Sequence, residues 1–348
     1  MTLEDFLKQD SEWLKGTGPS ANIVMSSRTR LARNIEKLSF SNWADKKQLE
    51  RVNSIVRDAV RSVSALKNSM FINLKDINEV DRLFLVERHL MSPEHAKDVE
   101  YKALVVDPKE MISIMVNEED HLRIQVMQSG LSLKDCWATI NELDNELSKK
   151  MSFAYSAKWG YLTACPTNTG TGLRASVMVH MPALVFTNQI SKVLEAVAKL
   201  GLNVRGLYGE GTEATGNIFQ ISNQVSLGMS EEDIIDNIER ITNQLISREE
   251  ATRKTILTKN RAELVDRVSR AYGTLKNAHI ITSNETVTLL SAIRLGVDLG
   301  LVKNLDRRMI NELFILTQPA HLQKLENREL NPNERDIKRA DLIRGKIK

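Results

Sequence analysis

Five arginines stand in four short, separated segments of this chain. Arg28 and Arg30 lie in Ser26-Ser27-Arg28-Thr29-Arg30. Arg123 closes Asn117-Glu118-Glu119-Asp120-His121-Leu122-Arg123. Arg174 follows Cys165-Pro166-Thr167-Asn168-Thr169-Gly170-Thr171-Gly172-Leu173. Arg205 heads Arg205-Gly206-Leu207-Tyr208-Gly209-Glu210-Gly211-Thr212-Glu213. A guanidinium cannot lose its charge and grips phosphate with a planar fork of donors. Several converging on one pocket would hold a triphosphate. They would also stabilise the charge that develops as its last phosphoryl group moves. Two acids, Glu119 and Glu210, could hold the group that receives it.

Each segment also has an ordinary reading. Arg28 and Arg30 alternate, so an extended segment turns both to one side; alone they could be a solvated strand edge. The acidic turn at 117–120 could be a solvated hairpin tip. Arg123 lies just past it, so a carboxylate and a cation can face one cleft. Cys165 could be a buried thiol or a thiolate stabilised by neighbouring cations. Gly170-Thr171-Gly172 is followed by no Walker-type lysine, so it is not a P-loop. Gly206, Gly209 and Gly211 would let their loop close over a substrate; without one it is a mobile hairpin loop. The six histidines show no metal-ligand spacing, and no structural metal is expected.

The elements that must position these residues are legible in outline. The chain has 348 residues, 42% apolar and 27% charged, enough for a large core and two domains. A formal charge of +3 with interspersed signs argues against nucleic acid as the main partner. No apolar run approaches the roughly 20 residues of a membrane span. Two cysteines, Cys136 and Cys165, make no disulfide framework. With a polar, acidic start, they suggest a cytoplasmic protein. The first 15 residues suggest a short helix. Apolar periodicity predicts helices over 46–67, 133–149, 182–200 and 231–259. Strands are expected over 103–106, 111–116, 122–127, 173–181, 203–207 and 217–222, with the pair about the acidic turn antiparallel. After 260 only helices are expected: 261–272, 284–299, 306–316, 319–327 and one starting at Asn331-Pro332-Asn333. The fold class is α+β, an antiparallel sheet flanked by helices and followed by an all-α region. The composition shift near 255 divides it into 1–255 and 256–348.

In order and separation, the arginine segments resemble the catalytic domain of phosphagen kinases over roughly residues 20 to 255. Phe219-Gln220-Ile221-Ser222-Asn223 fits the same pattern, and the loop from Arg205 to Glu213 resembles the arginine-phosphorylating branch. Two departures stand out. Small-molecule phosphagen kinases carry a helical domain before the first arginine motif, where this chain has only residues 1–25. This chain also adds helices after 255. Both are traits of the bacterial protein-arginine kinases, which the chain resembles along its length. Arg335-Asp336-Ile337-Lys338-Arg339-Ala340 is similar to that family's phosphoarginine-receptor motif; on bare sequence it is an exposed basic helix.

The resemblance implies transfer of the γ-phosphoryl of ATP, with Mg²⁺, to arginine in proteins, as a mark for stress response and Clp-dependent degradation. Arg28, Arg30, Arg123, Arg174 and Arg205 would bind phosphates. Ser26, Ser27, Thr29, His89, the backbone of Ala175, Ser176, Val177 and Met178, and the loop Gly206, Leu207, Tyr208, Gly209 and Glu210 would surround the nucleotide. Glu119 would orient the guanidinium and take its proton, Glu210 would grip its other side, and Cys165 would complete the cage. Glu118 and Asp120 would position the turn or the waters of the metal. Arg335 and Arg339 would bind the phosphate of an allosteric phosphoarginine, and Asp336 its guanidinium. A homodimer through the C-terminal helices is implied, with the activator McsA, the repressor CtsR and a Clp protease as partners. The alternatives are a kinase for free arginine or another small guanidino compound, and a non-catalytic phosphoarginine-binding adaptor.

Overall fold

Strand alternation sorts the central residues onto two faces of one sheet, cations on one and aliphatic side chains on the other. The computed structural model describes residues 2–9, 11–208 and 214–347. Its main sheet contains β1 (Val24–Arg33), β2 (Met70–Asn73), β3 (Ala103–Val106), β4 (Ile112–Val116), β5 (Leu122–Ser129), β8 (Leu173–His180), β9 (Leu202–Tyr208) and β10 (Thr215–Asn223). β6 (Tyr155–Ser156) and β7 (Gly160–Tyr161) form a separate ribbon. The main order is β2-β3-β4-β5-β1-β8-β10-β9, antiparallel throughout. β1, the first strand in sequence, therefore sits near the middle with β5 and β8 on either side.

On the aliphatic face, Leu31, Ile124, Val126, Ala175, Val177 and Ile221 pack in one core. The helices α2 (Lys46–Ser62), α4 (Leu133–Ser148), α6 (Ile190–Lys199) and α7 (Glu231–Lys259) cover them. The opposite face has three zones. At one end Met25, Met127, Met178 and Ile218 are buried. They lie beneath α8 (Arg261–Asn277), α9 (Ser283–Asp298), α10 (Arg307–Leu316) and α12 (Pro332–Lys346). At the other, Ile72, Leu104, Val106 and Met115 lie under Phe6 of α1 (Asp5–Lys8), Phe84 and Leu85 of α3 (Glu79–Glu87), and Ala320 of α11 (Pro319–Glu326). Between these hydrophobic caps the strands present Arg28, Arg30, Arg123 and Arg174.

Several expectations change in the fold. The single helix expected over 182–200 is two, α5 (Pro182–Phe186) and α6. Asn188, at φ 56°, takes the left-handed conformation that ends a helix. Among the described residues of the first 15 there are α1 and a 3₁₀ turn at Glu12–Leu14. Phe6 fills one cap of the sheet while Trp13 and Leu14 fill the other, so no single helical face serves the segment. β2 and α3 had no sequence signal clear enough to predict them. The expected division at 255 lies within α7, between Ile234 to Ile246, which belong to the sheet core, and Ile256, which belongs to the C-terminal cluster.

A buried ion pair locks the end of β1 to α4. Arg33 donates from Nε and Nη2 to Asp144, at 3.0 and 2.8 Å, and from Nη1 to the carbonyls of Ala32 and Thr171. Its guanidinium also lies 3.5 Å from the Tyr161 ring centroid. Asp144→Ala would leave that charge buried without its partner. It should cost about 3–5 kcal/mol of stability, measured as a lower denaturant midpoint at unchanged slope.

Candidate active site

The register of three strands assembles the cations. Arg30 stands opposite Arg174 across β1 and β8, Arg28 opposite Ser176 and Met127, and Arg123 opposite Ala32. Like charges facing each other across strands are destabilising. The effect on proton affinity follows. Burial, then Arg123 and Arg174, push Arg28 down to about 10. Burial, then Arg28, Arg123 and Arg174, hold Arg30 well below the usual arginine range. Arg174 is lowered by burial and by Arg205. Few acceptors relieve this. Arg28 Nη2 donates to Gln220 at 2.9 Å and Arg174 Nη2 to Ser222 Oγ at 3.4 Å. The buried Nε atoms of Arg30 and Arg174 have no hydrogen-bond partner among the described residues. Mutually repelling cations with orphaned donors fit an anion that supplies the missing acceptors.

The acids come from the turn between β4 and β5. Asn117, at φ 59°, makes the bend, and its side chain ties it to the carbonyls of Leu49 and Tyr101. Glu118 accepts from Arg123 Nη1 at 2.7 Å and from Ser92. Asp120 is buried and accepts from Asn34 Nδ2 at 2.6 Å and the Ala164 N–H at 2.7 Å. That carboxylate joins the acidic turn to the strap leading into Cys165. Gly172, at φ 68°, lets the strap close against the edge of β1: a Cβ there would lie 2.7 Å from the Ala32 carbonyl. Glu119 is the acid whose carboxylate remains accessible. Desolvation, then Asp120 and Glu118, raise its pKa, while Arg123 and a hydrogen bond with Cys165 oppose the rise. Cys165 Sγ also lies 3.0 Å from Thr167 Oγ1.

One 160 Å³ cavity is lined by Arg30, Glu118, Glu119, Arg123, Cys165 and Arg174, among others. Arg28 adjoins it through the register, and Arg205, exposed on β9, stands opposite Gln220. His89, at φ 60°, sits beside Trp13 with ring centroids 5.2 Å apart. Burial and the Arg28 charge push its imidazole down to about 3, so it is neutral. Ser26 shares the face of Arg28.

Several other members of the expected nucleotide shell turn their side chains away from this face. Ser27 Oγ donates to the Gly130 carbonyl and accepts from the Ser132 N–H, and Thr29 Oγ1 donates to the Cys136 carbonyl. Both hydroxyls are on the aliphatic face, because alternation turns them away from Arg28 and Arg30. Ala175 and Val177 point into the same core, and Met178 packs under the C-terminal helices. Of that stretch, Ser176 shares the face of Arg174. Gly206 stands opposite Phe219, and Leu207 and Tyr208 end β9. Gly209 and Glu210 lie outside the described residues. Arg335, Asp336 and Arg339 lie on α12, apart from this cavity. Arg339 is buried, not part of an exposed basic helix: Nε donates to the Thr317 carbonyl at 2.8 Å, and Nη1 to the Ile281 carbonyl and Asp336. Sequence reasoning missed Asn34, Ser92 and the roles of Gln220 and Ser222. Such neutral polar residues look ordinary until their partners are placed.

The profile of the ATP:guanido phosphotransferase C-terminal catalytic domain matches residues 51–252. That of the protein-arginine kinase McsB C-terminal domain matches residues 261–348. The chain belongs to the protein-arginine kinase family. It is 50% identical to a protein-arginine kinase of Halothermothrix orenii over 100% of this chain and 99% of that one. It is also 50% identical to a protein-arginine kinase of Symbiobacterium thermophilum, over 98% and 97%. Among solved structures, a lombricine kinase shares the fold at TM-score 0.60 and 24% identity, covering 70% of this chain and 72% of that one. The duplicated taurocyamine kinase of Schistosoma mansoni aligns at TM-score 0.57 and 27% identity, over 70% of this chain and 34% of that one. Among the described residues, no helix is long and apolar enough to cross a membrane.

Proposed function

We propose that this chain transfers the γ-phosphoryl group of ATP to a guanidinium nitrogen of arginine in other proteins. The observation that carries the reading is the cavity in which orphaned guanidinium donors face an accessible carboxylate and a thiol. Arg28, Arg30, Arg123 and Arg174, with Arg205 from β9, clamp the phosphates and stabilise charge as the terminal group moves in line. Ser26, Ser176 and neutral His89 lie on the nucleotide side. Mg²⁺ bound with ATP would supply neutralisation of phosphate charge. Glu118 and Asp120 are already committed to protein partners, so most of its ligands would come from phosphate and water.

The acceptor guanidinium has a pKa above about 12 and a delocalised lone pair. Glu119 orients it and accepts its proton as the P–N bond forms and the bond from phosphorus to the β,γ-bridging oxygen breaks. ADP leaves with that oxygen. Cys165 and Glu210 complete the grip on the guanidinium. On α12, Arg335 and Arg339 bind the phosphate of phosphoarginine and Asp336 its guanidinium. The helices after 255 serve that regulation and homodimer formation. Marked proteins pass to a Clp protease in the cytoplasm, with McsA as activator and the repressor CtsR as a further partner.

The test is incubation with Mg²⁺-ATP and either an unfolded protein or free arginine, followed by mass spectrometry under non-acidic conditions, since phosphoramidates hydrolyse in acid. Phosphoarginine on the protein is expected. Rapid turnover of free arginine with an unmodified protein would overturn the reading in favour of a small-guanidine kinase.

A further inference from the structure

Helix α11 follows the catalytic sheet by many residues, yet it docks beside α3, next to the face that carries the cations. One carboxylate makes the polar part of this joint. Glu87, the last residue of α3, accepts from the backbone N–H groups of Ala320 at 2.7 Å and His321 at 2.9 Å, and pairs with His321 Nδ1 at 2.7 Å. Pro319 opens α11, so these N–H groups belong to its first turn and have no partner within the helix. An acid at the C-terminal end of a helix is electrostatically misplaced for that helix. Glu87 suits only the N-terminus of α11, which lies 233 residues further along the chain.

The residues that follow Glu87 lead into the nucleotide side. Arg88 is buried and holds both oxygens of Glu110, at 2.7 and 2.5 Å, and Ser11 Oγ at 2.8 Å. Its Nη1 lies 3.4 Å from His321 Nε2. His89 comes next, in the left-handed conformation that non-glycine residues adopt only when their surroundings hold them. Its carbonyl accepts from Gln125 Nε2 at 2.8 Å, and Gln125 is the neighbour of Arg123 on the cation face of β5, two positions along. Its ring rests on Trp13 and feels the Arg28 charge.

We infer that Glu87 is a positioning residue for the nucleotide: by tying α3 to α11 it holds the strained Arg88–His89 turn against Arg28, so the C-terminal helices set the affinity for ATP. This rests on the nucleotide reading above. Glu87 itself touches neither nucleotide nor acceptor.

The experiment is Glu87→Gln in the full chain. Mg²⁺-ATP binding is read by calorimetry, steady-state kinetics with a protein acceptor, and folding by thermal melting. The substitution keeps one acceptor for α11 and removes the charge. Kd and KM for ATP should rise about tenfold, the loss of one charge-assisted bond, with kcat and the acceptor KM within about twofold. A purely structural role would instead reduce the active fraction and leave the remaining sites with unchanged ATP affinity. If Glu87→Gln does not fold, His321→Gln carries the same test, with a smaller rise in ATP KM and the same split. A folded variant with unchanged ATP affinity overturns the inference alone. Failure of the unaltered chain to bind ATP overturns the nucleotide reading and the inference together.

Discussion

Arg30→Met should lower kcat/KM by about 10³-fold, the scale of a lost phosphate-clamping arginine, while raising the melting temperature of the nucleotide-free protein. The two effects share one cause. Arg30 faces Arg174 in register, and its buried Nε is unpartnered among the described residues. Without nucleotide, that charge is repelled by Arg28, Arg123 and Arg174 and deprived of solvent. Met keeps much of the apolar stem and removes the repulsion. With ATP, the same charge should complete the proposed clamp. Thermal melting with and without Mg²⁺-ATP, beside initial rates, separates the terms: the variant should start higher and gain less from nucleotide. A lower melting temperature with near-normal activity would mean that Arg30 is a structural cation.

Glu119→Gln should abolish transfer, by about 10²–10⁴-fold in kcat, while ATP affinity stays within about twofold. The carboxylate is the accessible acid in the cavity, and its neighbours Glu118 and Asp120 are held by other partners. The pH profile supplies the sign. Glu119 keeps its proton to a higher pH than an ordinary carboxylate, because of desolvation and the flanking Asp120 and Glu118. Below its titration the base is absent and the rate is low; above it the base is present and the rate rises. The rising limb should therefore lie above the ordinary carboxylate value of about 4.3, and Glu119→Gln should lack it. The Cys165 side chain holds the Glu119 pKa down, so Cys165→Ala should move the limb to higher pH. A Gln variant with the parental rate and the same limb would remove Glu119 from the chemistry.

The difference between what was and was not readable is physical. Arg28 and Arg30 share a face because successive strand residues alternate, and two residues in an extended segment suffice to show it. The turn at Asn117–Asp120 announces a hairpin because apolar runs flank it. Helices such as α2, α4, α7 and α9 carry apolar periodicity and polar caps, as at Asp45, Ser230 and Thr282. β2 and α3 gave no such signal. Their apolar residues, Ile72, Phe84 and Leu85, are buried with Phe6 and Ala320 from both ends of the chain, and that coverage is a long-range fact. The run Ser26–Arg30 reads as one motif in sequence, yet it splits in space: Ser27 and Thr29 secure α4 while Arg28 and Arg30 meet the cavity.

Local chemistry thus settles which residues carry charge and which segments extend or coil, because these depend on side-chain type and short-range spacing. Folding settles the rest. It places Arg174 against Arg30 through the pairing of β1 with β8, joins the Glu119 turn to the Cys165 strap through Asp120, and buries Arg339 against the carbonyls of Thr317 and Ile281. It also lays two hydrophobic caps on either side of the cations. Each of these depends on strand order and helix docking between segments far apart in the chain, for which adjacent residues hold no record.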